Sequence, residues 1–258
     1  MTSDLIVTLG ISLAIQAAFF VVAATVRTDK VTDLSYGLTF IVLATVLLGR
    51  TAGATGPAIA LALMIVAWGA RLAGYLFYRI LHIQRDARFD GIREQPLKFL
   101  QFWFFQGVAV WVIMLPTILW FARPDAAGPW TGWMTAGAAV WFIGLVIETV
   151  ADIQKYQFKR AGGTRARWVD RGLWRYSRHP NYFGELLCWW GLFVFVLPGL
   201  GWWIIVGAAG PLAITALLLF GTGIPTLEKS AQEKWGQDPE YLAYRRRTPR
   251  LVPWFVPR

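Results

Sequence analysis

A chain of 258 residues that is 56% hydrophobic, carries 15 tryptophans and has a mean hydropathy of +0.47 is too apolar for a large soluble core and reads as an integral membrane protein. Its net charge of +10 does not argue for nucleic-acid binding, because the basic residues gather between apolar runs as they do on one face of a membrane protein. One cysteine excludes an intrachain disulfide, and two histidines with that cysteine argue against a zinc site.

Apolar runs fall near residues 5–26, 34–49, 57–81, 101–121, 131–150, 184–200 and 202–224, which predicts an all-α bundle of seven transmembrane helices. The run 34–49 is short for a span, so six helices is the alternative. The first run follows Asp4 without a basic leader, against a cleaved signal peptide. Pro116 and Pro211 are expected to interrupt helices, and Leu197–Gly201 to form the turn between the last two. If the amino terminus lies outside, all of the 25 lysines and arginines except Arg50, Arg71 and Arg123 fall in cytoplasmic loops and a cytoplasmic tail. That asymmetry sets the expected orientation. No repeat or linker divides the chain, so a single domain over 1–258 is expected.

Polar side chains beside or within apolar runs are costly, and they mark the candidate site. Asp33 opens the second helix, where it suits an N-cap or, as a protonated acid, a hydrogen-bond donor with Tyr36 one turn on. Arg71 sits mid-helix before Tyr75 and Tyr78 and needs a carboxylate, a phosphate or several carbonyls, with Asp33 and Glu185 as plausible partners. The third loop alternates Arg79, Arg85, Asp86, Arg88, Asp90, Arg93 and Lys98, a self-paired loop from which one or two arginines could reach a phosphate. Glu148 and Asp152 share a face at the end of the fifth helix, with Gln154, Lys155, Lys159 and Arg160 following. Their alternatives are ligand contact or a solvated helix end. The densest polar stretch is Gly172–Glu185, holding Tyr176, Arg178, His179, Asn181, Tyr182 and Glu185. It reads as half of a cofactor pocket or as a basic loop on anionic lipid. The tail, with Glu228, Tyr241, Tyr244 and Arg245–Arg247, begins helical and ends as a Pro-bounded basic segment, and its early part, with Glu228, could close a pocket from beneath.

The Gly172–Glu185 block, Asp152 in Ala151-Asp152-Ile153-Gln154-Lys155, Asp33-Leu34-Ser35-Tyr36 and the Glu228…Tyr241…Tyr244…Thr248-Pro249-Arg250 tail together resemble the steroid 5-alpha-reductase family, above all its bacterial members. More distantly the chain resembles isoprenylcysteine carboxyl methyltransferases and sterol reductases. The resemblance covers residues 140–258 most clearly and 30–110 more loosely. It implies a multi-pass protein of a bacterial inner membrane whose cytoplasmic half, about 140–258, encloses NADPH beside a lipid-accessible pocket. Carried over, the family's cofactor contacts fall on Glu148 and Asp152, with Lys159 and Arg167 near the phosphates and Asn181 and Glu185 near the nicotinamide. Arg71, Tyr176, Arg178, His179, Tyr182 and Glu228 complete the expected cofactor set. The family's catalytic glutamate corresponds to Asp33, and its catalytic tyrosine lands near Trp68, so Tyr36 or Tyr75 would have to stand in.

The implied reaction is NADPH-dependent reduction of the double bond of an enone in a lipophilic, steroid-like substrate drawn from the bilayer. Hydride reaches the β-carbon while a donor near the carbonyl oxygen, such as Asp33 or Tyr36, stabilises the enolate. Neither a metal nor an obligate protein partner is expected. No strand precedes a Gly-x-Gly-x-x-Gly motif, so helices and loops would hold the dinucleotide. The rival is an S-adenosylmethionine-dependent membrane methyltransferase, whose family shares Arg178-His179-Pro180-x-Tyr182-x-Gly184. A non-catalytic lipid-binding or scaffold protein is the third reading. Glu185 after Gly184, the Asp152-x-Gln154 pair and a second basic cluster favour reduction.

Overall fold

The computed structural model describes residues 1–26, 28, 31–51, 53–83, 95–123, 128–162 and 167–254. Arg27, Lys30, Arg85, Asp86, Arg88, Asp90 and Arg93 lie outside the described residues, as do the side chains of Tyr78 and Arg79. In chain order the α-helices are α1 (Thr2–Val26), α2 (Thr32–Arg50), α3 (Gly56–Ile83), α4 (Pro96–Phe121), α5 (Gly132–Arg160), α6 (Pro180–Leu200), α7 (Ile204–Gly207), α8 (Ala209–Leu219), α9 (Ile224–Trp235) and α10 (Pro239–Arg247). Tight 3-10 turns at Gly172–Arg175 and Gly201–Trp203 complete the described regular structure. In hydrocarbon an unpaired backbone group has no water to bond, so chains this apolar close every N–H and C=O inside helices. Among the described residues seven stretches are long and apolar enough to cross a membrane, from Thr2–Val26 to Ala209–Trp235. The second run is a full 19-residue helix, which decides for seven spans over six.

One compact unit comprises Met1–Thr135 with Leu192–Gly210. In it α1 packs on α2 and α4, and α2 lies along α3. That last contact is close because a Cβ on Gly37 would stand 2.9 Å from the Gly69 carbonyl. Three helices meet in a buried polar knot that the sequence did not single out. Gln16 Nε2 donates to Thr39 Oγ1 at 2.8 Å, and Gln106 Nε2 donates to Gln16 Oε1 at 2.8 Å and Ser35 Oγ at 3.1 Å. Ser12 Oγ donates to the Gly107 carbonyl at 2.8 Å. The knot fixes the register of apolar helices that dispersion alone would leave free to slide.

Two local expectations fail in this unit. Val31, not Asp33, is the N-cap of α2, and no side-chain cap bond forms there. Asp33 instead lies in the first turn, where the helix dipole favours a carboxylate. The turn expected at Leu197–Gly201 lies later. α6 continues through Pro198 to Leu200, and the chain bends at Gly201, whose φ is +54°. Arg123 Nη1 caps that end by donating to the Leu200 carbonyl at 2.6 Å.

The second unit comprises Ala136–Gly191 with Pro211–Arg258. Its α5 and α6 touch backbone to backbone through glycines. A Cβ on Gly144 would meet the Gly184 carbonyl at 2.6 Å, and one on Gly191 would meet Trp141 N at 2.6 Å. Pro211 falls in the first turn of α8 and does not interrupt it, whereas Pro116, in the other unit, is inside α4 as expected. The tail begins helical as expected and forms two helices, the second reaching into its basic segment. Asp238 caps α10 by accepting from Glu240 N at 2.8 Å and Tyr241 N at 3.4 Å, so Arg245–Arg247 belong to a helical last turn.

Candidate functional site

The polar block after α5 is built onto that helix and then strapped by the tail, all within the second unit. Gln154 Oε1 accepts from Leu173 N at 2.9 Å, and Trp174 Nε1 donates to the Ala151 carbonyl at 3.0 Å. Gly172 makes this approach possible. It holds φ +58°, and any Cβ there would run into the Gln154 amide. From the other side Tyr244 Oη donates to the Trp174 carbonyl at 2.7 Å, Arg178 N to the Pro249 carbonyl at 2.9 Å, and Ser177 Oγ to the Leu251 carbonyl at 2.6 Å. These bonds fasten the tail to residues 174–178.

A cavity of about 270 Å³ lies between these pieces. Lys155 and Lys159 of α5, Arg178, and Lys234 of α9 supply four cationic side chains to its wall. Glu228 is the one carboxylate among the lining residues. It accepts from Arg178 Nη1 at 2.6 Å through Oε2, faces His179 Nε2 at 2.8 Å through Oε1, and lies 3.7 Å from Arg245 Nε. Aromatic rings make up much of the remaining wall. Trp168 meets Tyr241 at 5.1 Å between centroids, Tyr244 at 6.0 Å and Trp235 at 6.2 Å, while Lys155 Nζ rides 4.9 Å over Trp174.

Protonation follows from this geometry. Burial pulls the His179 imidazole below its ordinary value, and the bond to Glu228 opposes that only in part. The ring is therefore neutral at pH 7. A carboxylate can only accept, so the proton of the His179–Glu228 bond sits on Nε2 and leaves Nδ1 as a bare acceptor. Burial likewise pushes the Tyr241 and Tyr244 hydroxyls up, keeping both protonated. Among the described residues His179 Nδ1, Arg178 Nε and Trp168 Nε1 are buried without a hydrogen-bond partner. All three belong to residues of the cavity lining, although these atoms themselves are covered by neighbouring protein.

The expected residues divide clearly. Lys159, Arg178, His179 and Glu228 line the cavity. Tyr182 stacks on His179, centroids 5.9 Å apart at 14°, and Asn181 precedes it with a buried Oδ1 that lacks a partner among the described residues. Glu148 and Asp152 are only 2% and 7% exposed, which rules out the solvated helix end, and Glu185 is buried as well. The Gly144–Gly184 contact brings the turns bearing Glu148 and Glu185 together. Glu148, Asp152, Asn181, Tyr182 and Glu185 are not among the lining residues, and neither are two further expected contacts. Arg167 does not line the cavity: it is half exposed, 3.0 Å from Asp170 and 3.6 Å from Glu240, because carboxylates nearer in space capture it. Tyr176 does not line it either, and its carbonyl accepts from Trp254 N at 3.1 Å.

Asp33, Tyr36 and Arg71 belong to the first unit. There Tyr36 packs edge-on against Phe40 at 5.1 Å, Phe40 against the buried Trp68 at 5.2 Å, and the Arg71 guanidinium lies 6.0 Å from the Tyr75 ring. Sequence reasoning missed Trp168, Lys234 and Trp235 and gave Tyr241 and Tyr244 no role of their own. The available signal was tryptophan inside charged stretches, Arg167-Trp168 and Lys234-Trp235, where no apolar run calls for it.

A family model described as a protein of unknown function, DUF1295, matches residues 19–248, and the chain belongs to that family. No curated protein and no solved structure matches the chain.

Proposed function

We propose that this protein is a membrane-embedded, NADPH-dependent reductase acting on the carbon–carbon double bond of an enone in a lipophilic substrate, as its resemblance to the steroid 5-alpha-reductases implies. One observation carries the proposal beyond that resemblance. A cavity lined by four cations and one already engaged carboxylate, with aromatic faces between them, has the chemistry to hold a phosphate-bearing nucleotide. Lys155, Lys159 and Lys234 are assigned to phosphate, and the Trp168–Trp235–Tyr241 faces to a base or nicotinamide ring. Bound there, NADPH would supply hydride. By the resemblance, Asp33 and Tyr36 of the first unit are assigned to hydrogen-bond the substrate carbonyl as charge develops on its oxygen. The orientation with the amino terminus outside and this cavity facing the cytoplasm belongs to the same proposal.

The aromatic wall alone would equally suit S-adenosylmethionine, but four cations disfavour a sulfonium ligand. Thermal unfolding of detergent-purified protein separates the two. A ligand of the native state at a hundredfold its Kd adds about 2.7 kcal/mol of stability. The expected result is a rise in melting temperature with NADPH, lost in Lys159→Ala and kept in Arg167→Ala, followed by enone-dependent NADPH oxidation that Asp33→Asn abolishes. A shift with S-adenosylmethionine and none with NADPH overturns the assignment.

A further inference from the structure

Beside the cavity, on the far side of the Arg178–Glu228 pair, the second unit has a separate notch of about 490 Å³. Leu219, Phe220 and Pro225 supply its apolar wall, and Arg178, Arg245 and Arg250 its polar one, again with Glu228 as the one carboxylate among the lining residues. Three guanidinium groups face one carboxylate, and two of those three already neutralise it: Arg178 directly, at 2.6 Å, and Arg245 at 3.7 Å. Arg250 uses Nη2 to donate to the Leu219 carbonyl at 2.8 Å, filling one of the orphan acceptors at the C-terminus of α8. A guanidinium has five donors in a planar fork, so Arg250 retains donors at an exposed position.

The position of the notch says what it faces. α8 has no charged residue, and Leu212 and Phe220 stand 54% and 79% exposed with exposed Ala216 between them at i, i+4, i+8 spacing, a column of apolar side chains suited to hydrocarbon, with Leu217, 37% exposed, beside it. The column ends at Leu219–Phe220, where the arginines begin. Val252 and Trp254 are exposed in the same tail, as are Arg246 and Arg247 at the end of α10. Backbone bonds from Arg178 to Pro249 and from Trp254 to Tyr176 hold this tail in place, so the basic surface is presented by ordered chain. Guanidinium at the mouth of an apolar column matches a phosphodiester headgroup above an acyl chain.

We infer that this notch is a binding site for one anionic phospholipid, its phosphate held by Arg250, with the Glu228-paired Arg245 adding positive charge beside it, and an acyl chain lying along Leu212, Ala216 and Phe220. The inference does not depend on the nucleotide proposal, although Arg178 and Glu228 form a wall common to the two spaces.

The probe is phosphatidylglycerol against phosphatidylcholine of the same acyl chains, each added to detergent-purified full-length protein, with inorganic phosphate and glycerol phosphate as headgroup-only arms. Melting temperature and native mass spectrometry are the readouts. The expected result is one retained phosphatidylglycerol per chain and a melting temperature raised by several degrees, with no shift from phosphatidylcholine or from either soluble phosphate. Arg250→Gln should lose both effects, while Arg171→Gln, an exposed arginine outside the notch, keeps them. Equal shifts from the two lipids overturn the site as an anion site. A full shift from soluble phosphate alone overturns the lipid as its occupant. Should Arg250→Gln fail to fold, salt decides on the native chain. Retention of phosphatidylglycerol must weaken as ionic strength rises from about 0.05 to 0.5 M, across which the Debye length shrinks severalfold. Salt-insensitive retention overturns the inference.

Discussion

Replacing Gly184 with alanine tests whether the α5–α6 seam holds the site in register. The new Cβ would stand 2.6 Å from Glu148 N, 2.7 Å from the Gly144 carbonyl and 2.8 Å from Glu148 Cβ, where ordinary contact begins at 3.4 Å. The obstacles are mostly backbone atoms and cannot rotate aside. The helices must therefore part by 0.8 Å, the difference between 3.4 and 2.6 Å. Overpacking of this kind costs about 1–3 kcal/mol. A gap of that width also forfeits roughly a quarter to a half of the dispersion energy of atom pairs along the seam. Against this, alanine gains about 1 kcal/mol in helix propensity over glycine. The net should be a loss of about 1–2 kcal/mol, or roughly 2–8 °C in melting temperature for a chain of this size. Gly74→Ala is the opposing control, because nothing lies within 4 Å of its Cβ and only the propensity gain remains. Intrinsic tryptophan fluorescence of purified protein during heating reads both. Glu148 is moved directly by Gly184→Ala, so any nucleotide-dependent shift should shrink as well. A Gly184→Ala protein that melts at or above wild type, or a Gly74→Ala protein that falls equally, would refute the close-contact reasoning.

Two further outcomes follow from the same unit. His179 has a folded pKa below its unfolded one, so the unfolded chain binds the extra proton as pH falls through the ordinary histidine range. Its contribution to stability is complete above about pH 6.5 and drains away below that, so melting temperature should fall from pH 6.5 to 5.5 more steeply in wild type than in His179→Asn. The charges facing the ring are Glu228, which resists this loss, and Lys155 and Arg178, which deepen it; matching slopes would count against a buried neutral imidazole. Asp238→Ala removes the cap of α10 at a cost of about 1 kcal/mol. Because α10 carries Tyr241 and Tyr244 to Trp168, the loss should also appear as a change in the near-ultraviolet circular dichroism of the tryptophans, and an unaltered spectrum would separate cap from cavity.

The bundle was readable because lipid simplifies the problem. Backbone groups must pair locally, so seven apolar runs become seven spans with little else to decide. The helix ends were less so. A turn at Pro198-Gly199 is sound reasoning for water, but in hydrocarbon a helix tolerates both residues, and the end of α6 was fixed by Arg123, a residue far away in sequence. Asp33 shows the same limit: its type suits an N-cap, yet the first turn begins one residue earlier and gives a carboxylate another favourable place.

Within the site, sequence was informative where a polar residue had no ordinary reason to be present. Arg178, His179 and Glu228 pair within the second unit although His179 and Glu228 are 49 positions apart. It failed where residue type is ambiguous without a map of neighbours. Arg167 and Lys159 are both basic and lie in one stretch, but Asp170 and Glu240 intercept the arginine, whereas the lysine reaches the cavity wall. Trp168 and Trp235 draw no reading at all until their rings are found against each other and against Tyr241. The character of a cavity depends on which charges reach its wall and which carboxylate they meet there. In this unit Glu228 is engaged by Arg178 and His179, and α5 and α9 add Lys155, Lys159 and Lys234 to the same wall.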